Sequence, residues 1–138
     1  MSHAVALTFC LGVALAQAPT KALEVGKEVP PLTGTDIEGR ELNWQRFDGR
    51  AVLLFFHAHA ARSATRSLRQ LVEACAKDKK LSKRLAVLVV TDGDDGADDV
   101  RCAFTESKLV HVTVVDRERG GYQPYRAVAF PTVFAIDG

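Results

Sequence analysis

Residues 51 to 71, AVLLFFHAHAARSATRSLRQL, leave this chain little choice of fold. Ala51 to Phe56 run without a polar residue, which suits a strand buried on both faces. Leu68, Leu71, Val72 and Cys75 then recur at helical spacing, as one apolar stripe on an otherwise polar helix. Where a buried strand turns into a helix, free amide groups and the helix dipole favour an anion, so such turns often carry chemistry. At this turn most residues are alanine: Ala58, Ala60, Ala61 and Ala64.

The rest of the chain supplies partners for that strand. Pro19 to Pro31 reads as an extended lead-in, since Pro30-Pro31 forbids helix. LTGTDIEGREL predicts two short strand pieces around a turn at Glu38-Gly39, and Asn43 to Phe47 a helical turn. A helix is predicted from an N-cap at Ser63 to about Asp78, followed by a second aliphatic strand, Leu85 to Thr91. After a loop from Asp92 to Gly96, a helix is expected from about Asp98 to Lys108, then strands Val110 to Val115 and Thr132 to Ile136. Between those strands lies a loop with one helical turn near Tyr125. Strands alternating with helices predict an α/β sheet in a single domain over residues 19–138. The last strand runs into Asp137-Gly138, so its edge is expected to be unpaired and open to self-association.

Composition narrows the function classes. The formal net charge of the 138 residues is +1, which gives no electrostatic case for nucleic acid or an anionic membrane. Residues 1 to 18 lack Asp, Glu, Lys and Arg, and Ala16-Gln17-Ala18 has the small-x-small form of a signal-peptidase site. They read as a cleaved export signal, too short for a membrane span, which places the mature chain in the periplasm or outside the cell. Cys10 would leave with the signal. Export would permit a disulfide between Cys75 and Cys102, but both read more simply as small buried hydrophobes.

The combined pattern resembles a known family. Gly26, Pro30-Pro31, LTGTDIEGREL, Trp44, FDGRAVLLFF and AFPTVFAIDG are similar to the redoxin domains of the TlpA and ResA type. These are thioredoxin-fold thiol–disulfide oxidoreductases, relatives of the peroxiredoxins. The resemblance spans roughly residues 23 to 138 and implies a central mixed sheet flanked by helices, with an N-terminal hairpin extension. It also implies a further strand and helix beyond Gly138, and places the helices of Cys75 and Cys102 on opposite faces of the sheet. In that family the turn after the first central strand reads Phe-Trp-Ala-x-Trp-Cys-x-x-Cys. Here Ala61 and Ala64 take both cysteine positions, so dithiol exchange has no nucleophile and no resolving thiol. A peroxiredoxin alignment fares no better, because it puts Ala58 at the proline, Arg62 at the threonine and Thr65 at the peroxidatic cysteine. By the same resemblance, Phe130-Pro131-Thr132 would carry a cis-proline beside the turn and dock a substrate peptide.

Two further constellations fall short of a site. His57 and His59 flank Ala58 and would point to one side of an extended segment, an arrangement that suits copper or zinc. Without a third ligand in view they read as polar residues of a surface turn. The Asp92–Asp99 segment fails the calcium-loop pattern, with Ala97 at the required glycine and Ala103 at the closing glutamate. No cofactor is implied. The expectation is an exported, redox-inactive member of an oxidoreductase family, or a module that binds a protein or peptide beside Pro131.

Overall fold

The computed structural model describes residues 4–5 and 24–137. Apart from Ala4 and Val5, the stretch read as an export signal lies outside the described residues. Five strands form one sheet: β1 (Ala4–Val5), β2 (Ala51–Phe56), β3 (Leu85–Thr91), β4 (Val110–Val115) and β5 (Thr132–Ile136). Their order is β1-β5-β2-β3-β4, which puts β2 in the middle. β3 joins β2 in parallel, with Ala51 opposite Leu85, and β4 joins β3 in parallel, with Ala86 opposite Val110. β5 lies antiparallel on the other side of β2, with Val52 opposite Ile136 and Phe56 opposite Thr132. Parallel neighbours need crossovers, and α1 (Arg62–Lys77) with the short α2 (Leu81–Arg84), then α3 (Asp94–Phe104), supply them.

Alternation along the strands divides the interior into two cores. Val52, Leu54 and Phe56 face one way with Leu88, Val90 and Phe134. That face is covered by Leu32 and Phe47 from the lead-in and by both tyrosines of α4 (Tyr122–Tyr125). Phe55, Val87 and Val89 face the other way, against Leu68 and Val72 of α1 and Val100 and Phe104 of α3. Full burial of one such side chain contributes about 1.5–3 kcal/mol, so β2 and the wholly buried β3, packed on both faces, bind the two layers together.

Several expectations need correction. α1 starts at Arg62 with Ala61 as its uncapped N-cap residue, which places Ser63 inside the first turn. The Ala61 N–H to Ala58 carbonyl bond, 3.0 Å, closes the turn before Ser63 can act as a cap. α3 starts at Asp94 instead of near Asp98, and it absorbs Asp95 and Gly96, which had read as loop. Carboxylates at the start of a helix are favoured by its dipole, and Asp94 and Asp95 occupy that turn. Cys75 and Cys102 sit on helices that pack on the same face of the sheet, because both crossovers fall on one side. Cys75 is buried but Cys102 is exposed, and both are free thiols. The expected bare β5 edge is paired in the full chain, where Ala4 and Val5, from the stretch read as an export signal, lie against Ile136 and Ala135.

The expected hairpin shrinks to a single bridge, Thr35 to Glu41, while Asp36 bridges to Val114 of β4. The buried Asp36 carboxylate organises this lead-in. It accepts the N–H groups of Glu38 and Arg40, each at 2.9 Å, and the guanidinium groups of Arg40 at 2.9 Å and Arg46 at 3.1 Å. Burial opposes its ionisation, but these donors outweigh burial and hold the carboxyl down at about 2. Its contribution to stability is therefore complete above about pH 4 and disappears as the pH falls through about 2. Asp36→Asn is expected to cost about 2 kcal/mol at pH 7, and the gap to the natural chain should close by about pH 2. Urea midpoints along a pH series would measure it, and a gap independent of pH would contradict the assignment.

Candidate functional site

The site begins where β2 ends. His57 continues the strand, donating its N–H to the Val90 carbonyl at 2.8 Å, and its side chain is fully buried. Its Nδ1 lies 3.0 Å from Thr91 Oγ1 on β3, and its Nε2 lies 2.9 Å from Thr65 Oγ1 on α1. The surface-turn reading therefore fails for His57. Two hydroxyls satisfy both ring nitrogens, the condition under which a polar ring can be buried. Gly96 provides the space, since a Cβ there would stand 2.0 Å from Thr91 Oγ1 and 3.4 Å from His57 Nδ1. Burial lowers the pKa of His57, and the Coulomb pull of Asp99 and Asp92 only partly offsets it.

His59 is exposed and behaves in the opposite way. Its Nδ1 lies 2.7 Å from Asp99 Oδ2, and this hydrogen bond raises its pKa. The same carboxylate oxygen stands 3.9 Å from His57 Nε2 and accepts from the Thr65 hydroxyl at 3.5 Å. Both histidines thus reach one carboxylate that sequence reading had not placed beside them. Even so, both nitrogens of His57 are held by threonines, and no group of three metal-capable side chains is assembled among the described residues.

Ala61 and Ala64 stand where α1 begins. Ala61 is half-buried with φ −92° and ψ 86°, and Ala64, one turn further in, is fully buried. Across the sheet, Thr132 pairs with Phe56, which sets the Phe130-Pro131 peptide level with the end of β2. That peptide bond is cis. Phe130, Pro131 and Thr132 are half-buried, while Val128 beside them is 89% exposed.

Polar contacts tie these pieces together. The Tyr122 hydroxyl shares its hydrogen between the carbonyls of His57, 2.7 Å, and Val90, 3.1 Å. The His59 N–H donates to Asp92 at 3.2 Å, and Arg119 donates to the other oxygen of Asp92 at 2.6 Å. The Arg119 guanidinium also lies 5.4 Å from the centre of the Phe130 ring. Sequence reading missed Thr91, Asp99, Arg119 and Tyr122 as members of the site, and met Thr65 only as a position in an alignment. The residue that makes room for the ring, Gly96, had been read as loop. Next to the turn, a cleft of about 610 Å³ is lined by His59, Thr65, Asp99, Arg62, Arg66 and Arg69.

Two measurements test this geometry. Gly96→Ala should destabilise the protein by about 1–3 kcal/mol through overpacking, and Thr91→Ala in the same chain should relieve much of that penalty. By NMR titration, His59 should gain its proton above the ordinary histidine range and His57 below it. Because the unfolded chain takes up its proton more readily than His57 and less readily than His59, lowering the pH through about 6.5 should weaken the contribution of His57 to stability and strengthen that of His59. Asp99→Asn should return His59 towards its ordinary value and push His57 lower still. An unmoved His59 would show that Asp99 is not its partner in solution.

No family model matches the chain. The thiol-disulfide oxidoreductase ResA of Bacillus thuringiensis subsp. konkukian is 25% identical over 115 residues, covering 83% of this chain. The chain spans 65% of that curated relative's length. A thiol-disulfide oxidoreductase from Bacteroides fragilis superposes with a TM-score of 0.61 at 21% identity, over 78% of this chain and 80% of that one. A secreted disulfide oxidoreductase from Mycobacterium tuberculosis gives 0.54 at 14% identity, over 72% and 71% of the two chains. The shared architecture is the mixed sheet with β2 at its centre and helices against it. The chain has a thioredoxin-like fold and is similar in sequence to the thiol-disulfide oxidoreductase ResA.

Proposed function

We propose that this is an exported domain on a thiol–disulfide oxidoreductase scaffold, redox-inactive as it stands, which binds a protein or peptide partner beside Pro131. One observation carries the reading. Position 61 is accessible at the uncapped start of α1 and position 64 is buried one turn in, which suits an attacking and a resolving thiol, and both are alanine. Thiol–disulfide exchange needs a thiolate to attack one sulfur and a second thiol to release the mixed disulfide. An alanine methyl can do neither.

The remaining cysteines are poor substitutes. Cys75 lies three turns along α1, where burial pushes its thiol pKa up, away from the thiolate. Cys102 is exposed on α3, and the two form no disulfide. The likeness to ResA supports the scaffold. Export is supported by the uncharged first 18 residues and by the secreted relative from Mycobacterium tuberculosis. Among the described residues no helix is long and apolar enough to cross a membrane. Partner docking is supported by Val128, an exposed apolar residue beside the half-buried Phe130, Pro131 and Thr132.

Insulin reduction by dithiothreitol separates the alternatives. The chain should not accelerate it, whereas Ala61→Cys/Ala64→Cys should gain turnover. Turnover by the unaltered chain would refute redox inactivity. In the double-cysteine background, Val128→Asp should raise KM severalfold with little change in kcat, and an unchanged KM would refute docking at that surface.

A further inference from the structure

The face of α1 that turns toward α3 carries Arg62, Arg66 and Arg69, and all three are exposed and line the cleft that adjoins Ala60 and the turn. Glu73 is the only acidic residue on this helix. It pairs with Lys77, farther along. The carboxylates of α3 that could have answered the arginines are engaged elsewhere. Asp94 pairs with Arg117, Asp98 with Arg101 and Asp99 with His59. Among the described residues none of the three arginines has an ion-pair partner, although the whole chain carries a net charge of only +1. Positive charge is thus concentrated on one side of the turn, where the carboxylate lining the cleft, Asp99, is paired with His59.

Spacing says what would fit. Arg62 and Arg66 are about 6 Å apart along the helix axis, and Arg66 and Arg69 about 4.5 Å. In an extended peptide, side chains on one face recur every two residues, about 6.6 Å. Three carboxylates at alternate positions therefore match the three guanidinium groups, each able to receive a carboxylate through two N–H donors. The cleft is open enough to take a chain laid along the helix.

We propose that the partner segment of this domain is acidic: an extended peptide with carboxylates at alternate residues, seated on Arg62, Arg66 and Arg69 as it approaches the turn. The inference rests on the docking reading above and specifies its chemistry. Exposed ion pairs are weak singly, so three together are expected to change affinity about tenfold, and to do so only at low ionic strength.

The test uses the full chain and two fluorescein-labelled peptides, one alternating Glu with Ser and one with Gln in place of Glu, followed by anisotropy. At about 20 mM salt the Glu peptide should bind about tenfold more tightly than the Gln peptide, and the difference should shrink at about 200 mM. Arg62→Gln/Arg66→Gln/Arg69→Gln should abolish the preference, while Lys79→Gln/Lys80→Gln/Lys83→Gln, with the same loss of charge between the end of α1 and α2, should keep it. Equal binding of the two peptides, or equal loss in both triple variants, would overturn the proposal. Preference for Glu that survives Val128→Asp unchanged would support the basic cleft and count against docking beside Pro131, so the two readings can fail separately.

Discussion

A polar side chain inside a packed sheet is costly to bury unless its polar atoms find partners. His57 meets this condition at the end of β2, between the hydroxyls of Thr91 and Thr65. The rest of the turn follows from it. Because the ring is anchored to β3 on one side and α1 on the other, the start of α1 is held against the sheet. Because the ring needs space, the second crossover helix must present a residue without a side chain, and that residue is Gly96. Leaving one of these polar groups unpaired would cost about 1–3 kcal/mol, comparable to deleting a methyl-bearing core contact.

Asp99 gives the turn its electrical character. Two histidines two residues apart in sequence meet the same carboxylate oxygen and respond in opposite directions. The buried one is kept neutral by loss of solvent, and the exposed one is drawn toward its charged form by a direct hydrogen bond. Environment, more than residue type, decides the role of an imidazole. The two histidines sit before a helix start that has neither a capping side chain nor an acidic residue in its first turn.

The four longer strands were legible because uninterrupted aliphatic runs such as Leu85 to Thr91 have no alternative use in a chain of this size. Tertiary contacts set what sequence reading got wrong. Ser63 looked like a cap, but a turn closed by Ala58 started the helix earlier. Gly96 looked like loop because glycine is a poor helix former, yet a close approach to Thr91 and His57 outweighs that preference. The placement of the two cysteine helices on opposite faces came from family topology, and the packing of α1 against α3 shows one shared face. The alanines at 61 and 64 were found through resemblance alone, since nothing in their own chemistry marks a site.

Asp92 reaches the backbone of His59 with one oxygen and Arg119 with the other, and Arg119 in turn lies over Phe130. Three segments distant in sequence therefore share one small polar joint. The joint makes no use of the side chains at positions 61 and 64. The seating of the Phe130 segment against the turn is therefore set by charge and ring contact at a distance from the start of α1.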